Sequence, residues 1–233
     1  MLAVTFGVSA VAAILQLVDA VLSGLPGYRV RLNQNQSHYD LINLGLNLVS
    51  VGQLVAWGLL GLYLLWRSGI GLAAIGLGRL QWRPDVLGGL GLAALIGIPG
   101  LMFYLAAREL GMNAHVEASA LHSSWWRIPV LVLAAFANGF AEEVIVVGYL
   151  ITRLRQLGWT PRKAVLASGV LRALYHLYQG FGAGLGNLVM GVVFGYAWCR
   201  TGRLWPLVIA HGVIDTVAFV GYAALAGHVS WLR

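Results

Sequence analysis

The chain has 233 residues, of which 59% are hydrophobic and 10% are charged, and its mean hydropathy is +0.79. A soluble domain usually carries about 25% charged residues, so this composition excludes an ordinary soluble protein and predicts an integral membrane protein. The formal net charge of +7 comes from basic residues at the edges of apolar segments. Such a distribution is typical of membrane topology and does not favour a nucleic-acid partner. The single cysteine, Cys199, excludes an intramolecular disulfide.

Seven apolar segments follow one another along the chain. Most approach the roughly 20 residues that cross a hydrocarbon core, although the fifth and sixth are shorter. We therefore predict an all-α polytopic membrane protein with about seven transmembrane helices, built as a single integral membrane domain over residues 1–233. The segments are 4–25, 41–66, 86–107, 128–151, 164–180, 186–199 and 204–226.

Lys and Arg are concentrated in three alternate loops. The positive-inside rule then predicts a multi-pass protein of the cell membrane with a cytoplasmic N-terminus and an external C-terminus, if all seven segments cross. Basic residues at membrane edges also favour contact with anionic lipid. The loop residues are Arg67, Arg79 and Arg83, then Arg153, Arg155, Arg162 and Lys163, and finally Arg200 and Arg203.

The longest charged connection, residues 108–127, joins the third and fourth segments. Trp125 and Trp126 suit a membrane interface. His115 and His122 lie alone in this connection, and we predict solvated loop histidines.

Two adjacent carboxylates, Glu142 and Glu143, interrupt the apolar fourth segment. A charge near a bilayer centre costs at least about 2.5 kcal/mol on insertion scales, so an intramembrane ionisable residue is a functional-site candidate. Neighbouring residues of a helix point about 100° apart. Glu142 should therefore share its face with Asn138 and Tyr149, while Glu143 shares its own with Val147.

The last three segments carry further polar residues at helical spacing. Arg172 and His176 are four residues apart, as are His211 and Asp215, so each pair should lie on one helix face. Between the fifth and sixth segments, the glycine-rich stretch 180–186 predicts a flexible break.

Three motifs together resemble the CAAX-protease and bacteriocin-processing family of glutamate-dependent intramembrane proteases. The family pattern is EExxxR, then a histidine that ends an apolar helix some thirty residues later, then HxxxN or HxxxD. Here the matching residues are Glu142-Glu143, His176, and His211 with Asp215. The resemblance covers residues 128–220, the expected catalytic core, and implies an intramembrane endopeptidase that needs no cofactor or metal and acts on a peptide or membrane-protein substrate.

The resemblance also implies a role for each motif residue. Glu142, assisted by His176, would act as general base on a water molecule. His211 would stabilise the oxyanion. An ionised Asp215 cannot donate a hydrogen bond, so it would orient His211 or keep it cationic. The expected supporting residues are Glu143, Arg172, Asn138 and Tyr149.

The sequence departs from the family at Val147, which stands where an arginine is usual. Glu143 then lacks its compensating cation, so either it stays protonated through desolvation or another cation reaches it. Arg172 is the only Lys or Arg inside an apolar segment. We therefore predict an ion pair between Arg172 and Glu143.

Two other functions stay open at this stage. The chain has no HExxH, GxGD or GxSxG motif, yet carboxylates and imidazoles are good metal ligands, so a metal-dependent membrane protease is one alternative. Polar relays in membrane helices also serve transporters, so a proton-coupled carrier, or an adaptor that retains the protease fold, is the other. Nothing in the sequence indicates an oligomeric state.

Overall fold

Seven helices make up most of the chain in a computed structural model that describes residues 1–225, 228 and 229. Six of them are long and apolar enough to cross a membrane, which confirms a polytopic all-α membrane fold. The helices are α1 (Ala3–Leu22), α2 (Asp40–Trp66), α3 (Trp82–Glu109), α4 (Arg127–Gln156), α5 (Pro161–His176), α6 (Phe181–Thr201) and α7 (Trp205–Leu225). Two short strands, β1 (Arg29–Arg31) and β2 (His115–Glu117), pair in parallel.

The three basic loops lie at one end of the helix bundle. Arg203 binds both oxygens of Asp85 at 2.6 Å, which ties the connection before α7 to the start of α3. The indole of Trp198 donates to the carbonyl of Ile75 at 3.0 Å. Arg153 donates to the carbonyl of Leu64 near the end of α2 at 2.8 Å. We call this end of the bundle the basic end.

The opposite end holds the strand pair and the start of α2. Asp40, the first residue of α2, accepts hydrogen bonds from Ser124 at 2.6 Å and from the indole of Trp126 at 2.9 Å. His122 contacts the same carboxylate at 3.0 Å. His115 is not the solvated loop residue predicted, because it lies in β2 and is buried, and burial lowers the pKa of its imidazole.

The fifth segment, now α5, has only 16 residues. It nevertheless carries the chain between the two ends of the bundle. Arg153, shortly before it, contacts Leu64 at the basic end, and Gly180, shortly after it, bridges to Asn113 at the opposite end. Seven helices are therefore present, of which six qualify as membrane spans among the described residues. Helix α5 buries one face and exposes Leu166 and Val170.

Helix α4 occupies the centre of the bundle. Buried residues make up 67% of its most apolar window, against 17% for α2 and 11% for α3. Helices α2 and α3 thus expose apolar outer faces, as expected of helices in contact with lipid.

One stretch of α4, Glu143–Tyr149, is π-helical. A π turn widens the helix and leaves carbonyl groups without their usual donors, and such turns are frequent at functional sites. Side-chain hydroxyls supply two donors: Ser168 of α5 donates to the carbonyl of Val146 at 2.7 Å, and Thr152 donates to that of Gly148 at 2.6 Å. The π turn changes the register of α4 beyond Glu143.

The prediction of a flexible break over residues 180–186 was wrong in its length. Helix α6 begins at Phe181, and the break is confined to Gly180, whose φ of +117° favours glycine. Asn113 fixes the new helix start, because its side-chain oxygen accepts from the backbone N–H of Ala183 at 2.9 Å.

Candidate active site

The polar residues of α4, α5 and α7 meet in one buried cluster. Glu143 and Arg172 are completely buried, and His211 and Glu142 are 3% and 4% exposed. A polar group at this depth costs free energy unless it is hydrogen-bonded, so these side chains are expected to bind one another or a bound ligand. The cluster consists of Asn138, Glu142, Glu143, Arg172, Tyr175, His176, His211 and Asp215.

Arg172 compensates Glu143. Its Nη2 donates to Oε1 of Glu143 at 2.6 Å, so the predicted ion pair is present. The same Oε1 accepts from Nδ1 of His211 at 2.7 Å. Val147, at the usual arginine position, is fully buried in the apolar core with Ile151. A cation from α5 therefore takes the place of the missing one on α4.

Glu142 is held through one oxygen. The hydroxyl of Tyr175 donates to Oε2 at 2.6 Å, and Nη1 of Arg172 lies 3.4 Å from the same atom. Within the described part of the chain, no donor binds Oε1. Sequence reasoning missed Tyr175, although it directly precedes His176.

His176 has a defined tautomer. Its Nδ1 lies 2.9 Å from the carbonyl oxygen of Arg172. A carbonyl can only accept, so Nδ1 carries the hydrogen, and a neutral ring then has its lone pair on Nε2. The rings of Tyr175 and Tyr178 flank the imidazole, with centroids 4.7 and 6.5 Å away.

His211 and Asp215 lie on one face of α7, as their spacing predicts. The distance from Nε2 of His211 to Oδ2 of Asp215 is 3.6 Å, longer than a hydrogen bond. Asn138 of α4 donates to the same oxygen of Asp215 at 2.9 Å. Asn138 thus positions Asp215, and Nε2 of His211 has no hydrogen-bond partner among the described residues.

Tyr149 does not join the cluster. Its ring lies 5.2 Å from the guanidinium carbon of Arg153 and packs against the apolar core. No hydrogen bond or ion pair links it to the cluster in the portion of the chain that is described. The prediction that Tyr149 shares a face with Glu142 assumed a regular α-helix, and the intervening π turn changes that register.

Glycine sets the distance between α4 and α7. A Cβ atom on Gly139 would lie 2.9 Å from the backbone nitrogen of Gly212 and 3.1 Å from Cβ of His211. Such close approach is open only to glycine. The backbone that carries His211 therefore packs directly on α4, three residues before Glu142.

A partly open cavity of about 410 Å³ adjoins the cluster. Tyr175 and Tyr178, which contact Glu142 and His176, form one side of it. The rest is lined by Ser9, Ala12, Ala13 and Gln16 of α1 and by residues 28–31. A molecule in this cavity would therefore lie beside Tyr175, which belongs to the cluster, and Tyr178, which flanks His176.

A metal site of the usual kind is not formed by these side chains. Across residues 1–225, 228 and 229, no group of three or more His, Cys, Asp or Glu side chains could hold a metal ion.

The family comparison falls on this same region. A family model described as "Type II CAAX prenyl endopeptidase Rce1-like" matches residues 124–217. The match includes α4, α5, α6 and most of α7, and hence every residue of the cluster. The resemblance to the CAAX protease family is thereby confirmed. Comparisons with curated proteins and with solved structures found no match.

Proposed function

We propose, from this family match and the geometry of the cluster, that the chain is an intramembrane endopeptidase in which Glu142 activates a water molecule. The match supports a CAAX-type membrane protease at the level of the family. The assignment of individual residues is our proposal, with residues 128–220 as the catalytic core.

The arrangement around Glu142 carries the proposal. Tyr175 and Arg172 both contact Oε2 of Glu142, so Oε1 can accept a hydrogen bond from water. A general base needs this contact with its nucleophile. Nε2 of His176, with its lone pair exposed by the Nδ1 contact, is the second acceptor that orients the water.

The proposed reaction conserves protons. The water oxygen attacks the carbonyl carbon of the substrate while one water proton moves to Glu142. When the tetrahedral intermediate collapses, the C–N bond breaks and Glu142 returns the proton to the leaving nitrogen. The two new ends are a carboxylic acid and an amine, and the proton of the acid then passes to the amine to give a carboxylate and an ammonium group, without any cofactor.

His211 is the proposed donor to the oxyanion. Its Nδ1–H is directed at Glu143, and Asp215 is too distant from Nε2 for a hydrogen bond. In the doubly protonated ring, the Nε2–H is therefore available to the substrate oxygen. A fixed donor in a site without bulk water stabilises a developing oxyanion, typically by about 3–4 kcal/mol.

Glu143, Arg172 and Asn138 support this geometry. The Arg172 and Glu143 pair fixes Nδ1 of His211 through the shared Oε1 atom. Asn138 holds Asp215 near the other edge of the ring. These residues position the catalytic groups.

For the orientation in the membrane, we propose that the basic end is cytoplasmic, as the positive-inside rule predicts. Helix α1 ends beside the strand pair at the opposite end, so it begins at the basic end. The N-terminus is then cytoplasmic, and residues 28–31, which border the cavity, lie outside.

The test is cleavage of a peptide library by the purified protein in detergent. Wild type should cleave, and Glu142→Gln and His176→Ala should lose about 10²- to 10⁴-fold in rate. The matched control is Glu109→Gln, the same substitution at an exposed residue outside the cluster, which should retain activity. Thermal unfolding of each variant checks that it is folded.

The same assay separates the alternatives. Activity that is lost with a chelator and restored by a metal would indicate a metal-dependent protease. If no peptide is cleaved by folded wild type, the adaptor or carrier function becomes the better explanation.

A further inference from the structure

Strand β1 has an unoccupied edge. The sheet has two strands in the described chain, so only one side of β1 is paired. The carbonyl of Tyr28 accepts from the N–H of His115 at 2.8 Å, and the N–H of Leu32 donates to the carbonyl of Glu117 at 2.9 Å. In a parallel pair, alternate residues direct both backbone groups at the partner.

This register shows which groups are free. Residues 28, 30 and 32 point toward β2, because Arg29 stands opposite His115 and Arg31 opposite Glu117. Arg29 and Arg31 consequently direct their N–H and C=O groups away from the sheet. No other strand of the described chain pairs with them.

The free edge borders the cavity beside the candidate active site. Four successive residues, 28–31, line that cavity. Successive side chains of a strand point to opposite faces, so one face of β1 could supply only every second residue to the cavity lining. Because all four residues line the cavity, the edge of the strand must face it. The same cavity reaches Tyr175, whose hydroxyl binds Glu142.

We propose that the edge of β1 binds the extended backbone of the peptide substrate as an added strand, and so aligns the substrate with Glu142. This inference rests on the proposed function. Strand addition provides affinity through main-chain hydrogen bonds and leaves the side chains to set specificity. It also holds the peptide extended, which exposes the bond to be cleaved.

The charge at this edge favours an acidic peptide. The side chains of Arg29 and Arg31 are 61% and 59% exposed, and both bind the single carboxylate of Glu117. Among these three side chains, two cations share one anion, which leaves one positive charge in excess. A substrate with an acidic group near the added strand would complete the balance.

The first experiment uses peptides with one N-methylated amide each, made from a sequence that the protein binds. Methylation removes the N–H, so it should weaken binding only where that N–H faces β1. We expect a 3- to 10-fold rise in KM at two positions that are two residues apart, with little change at the position between them, since one hydrogen bond contributes about 1 kcal/mol. Binding affinities of the same methylated peptides for Glu142→Gln should show the same alternation, because this variant binds the peptides without cleaving them.

The second experiment compares Arg31→Pro with Arg31→Ala. Both remove the side chain, but only proline removes the free N–H, and proline is tolerated on a strand edge that faces away from its partner. Arg31→Pro should raise KM a further 3- to 10-fold over Arg31→Ala, with kcat within about twofold.

The outcomes separate this inference from the proposed function. Equal KM values for the two Arg31 variants, or methylation effects without the two-residue period, would overturn strand addition even if cleavage occurs. A periodic effect on binding without any cleavage would support strand addition and reject the peptidase. If no library peptide binds, strand addition is rejected as well.

Discussion

Nη2 of Arg172 lies 2.6 Å from Oε1 of Glu143, with both side chains completely buried. This bond joins α5 to α4 at the first residue of the π-helical stretch. Oε1 also accepts from Nδ1 of His211 on α7. One carboxylate oxygen therefore connects three helices. The arginine that neutralises it lies on α5, whereas the EExxxR motif places an arginine on α4.

The first prediction concerns that pair. Arg172→Ala leaves the Glu143 charge buried without a cation, and breaking a buried pair in this way typically costs about 3–5 kcal/mol. We expect a marked fall in the free energy of unfolding in detergent. The double variant Arg172→Ala/Glu143→Gln removes the charge as well and should recover a large part of this loss.

The control for the pair is Arg162→Ala, which removes an exposed arginine at the start of the same helix. It should change stability by less than about 0.5 kcal/mol. If Arg172→Ala is as stable and as active as wild type, the ion pair has no structural importance. If the double variant is no better than the single one, the loss arises from packing.

The second prediction tests the contact that the sequence did not indicate. Tyr175→Phe removes the hydroxyl that donates to Oε2 of Glu142, while the ring can stay on Phe6, 4.7 Å away. A hydrogen bond to a charged group contributes about 1.5–3 kcal/mol. We expect kcat to fall by about tenfold or more, with the thermal stability nearly unchanged.

Tyr178→Phe is the matched control for Tyr175→Phe. Its hydroxyl accepts from Gln179 at 2.7 Å and has no hydrogen bond to Glu142 among the described residues. This variant should stay within about twofold of wild type. Equal effects of the two substitutions would show that the tyrosine hydroxyl does not act through Glu142.

Much of the cluster could be predicted from the sequence because residues at i and i+4 share a helix face. This spacing predicted the proximity of His211 and Asp215. For Glu143, the apolar segment left two possibilities, a protonated carboxyl group or a cation from another helix, and the structure shows the cation. Only Arg172 could supply one from inside an apolar segment. Helix geometry was sufficient for the first contact, and the cost of a buried charge made the second one of two expected outcomes.

The remaining features depend on contacts between helices. The π turn has no residue signature, because it depends on donors such as Ser168 on another helix. Tyr175 donates to Glu142, whereas Nδ1 of its neighbour His176 contacts the carbonyl of Arg172, and only the packing of α5 on α4 determines which of the two residues binds the carboxylate directly. Strands of three residues, such as β1, are too short for a period-two pattern.

The third prediction addresses the close contact of α4 and α7. In Gly139→Ala, the new Cβ would stand 3.1 Å from Cβ of His211 and 2.9 Å from the backbone nitrogen of Gly212. Backbone at that distance cannot give way locally, so the helices must separate. We expect a loss of about 1–3 kcal/mol of stability and a larger proportional loss of kcat than of substrate affinity, because His211 moves.

Gly52→Ala is the control for this contact. A Cβ at Gly52 meets nothing within 4 Å, and alanine is favoured over glycine inside a helix by about 0.5–1 kcal/mol. It should keep full activity and be slightly more stable. Wild-type kcat in Gly139→Ala would mean that the distance between α4 and α7 does not control the position of His211.

The fourth prediction concerns orientation. Cysteines are introduced one at a time into a Cys199→Ala background, Ser37→Cys at the opposite end and Ser68→Cys at the basic end. A membrane-impermeant maleimide on intact cells should label Ser37→Cys, and should label Ser68→Cys only after permeabilisation. The reverse pattern would place the basic end outside and would overturn the proposed topology.

The fifth prediction follows from the charges that join β1 to β2. Burial raises the pKa of Glu117, but hydrogen bonds from Arg29 and Arg31 outweigh it and hold the pKa below its ordinary value of 4.5. A carboxyl group with a lowered pKa in the folded state contributes stability above its unfolded pKa, and this contribution is lost as the pH falls through the folded value. Protection of the His115 and Leu32 amides, measured as the exchange rate relative to the intrinsic rate at each pH, should therefore fall in wild type below about pH 4.5. In Glu117→Gln this protection should be lower at neutral pH and should lack the step, so that the two proteins converge in acid. Parallel curves at all pH values would show that the carboxylate does not hold the strands together.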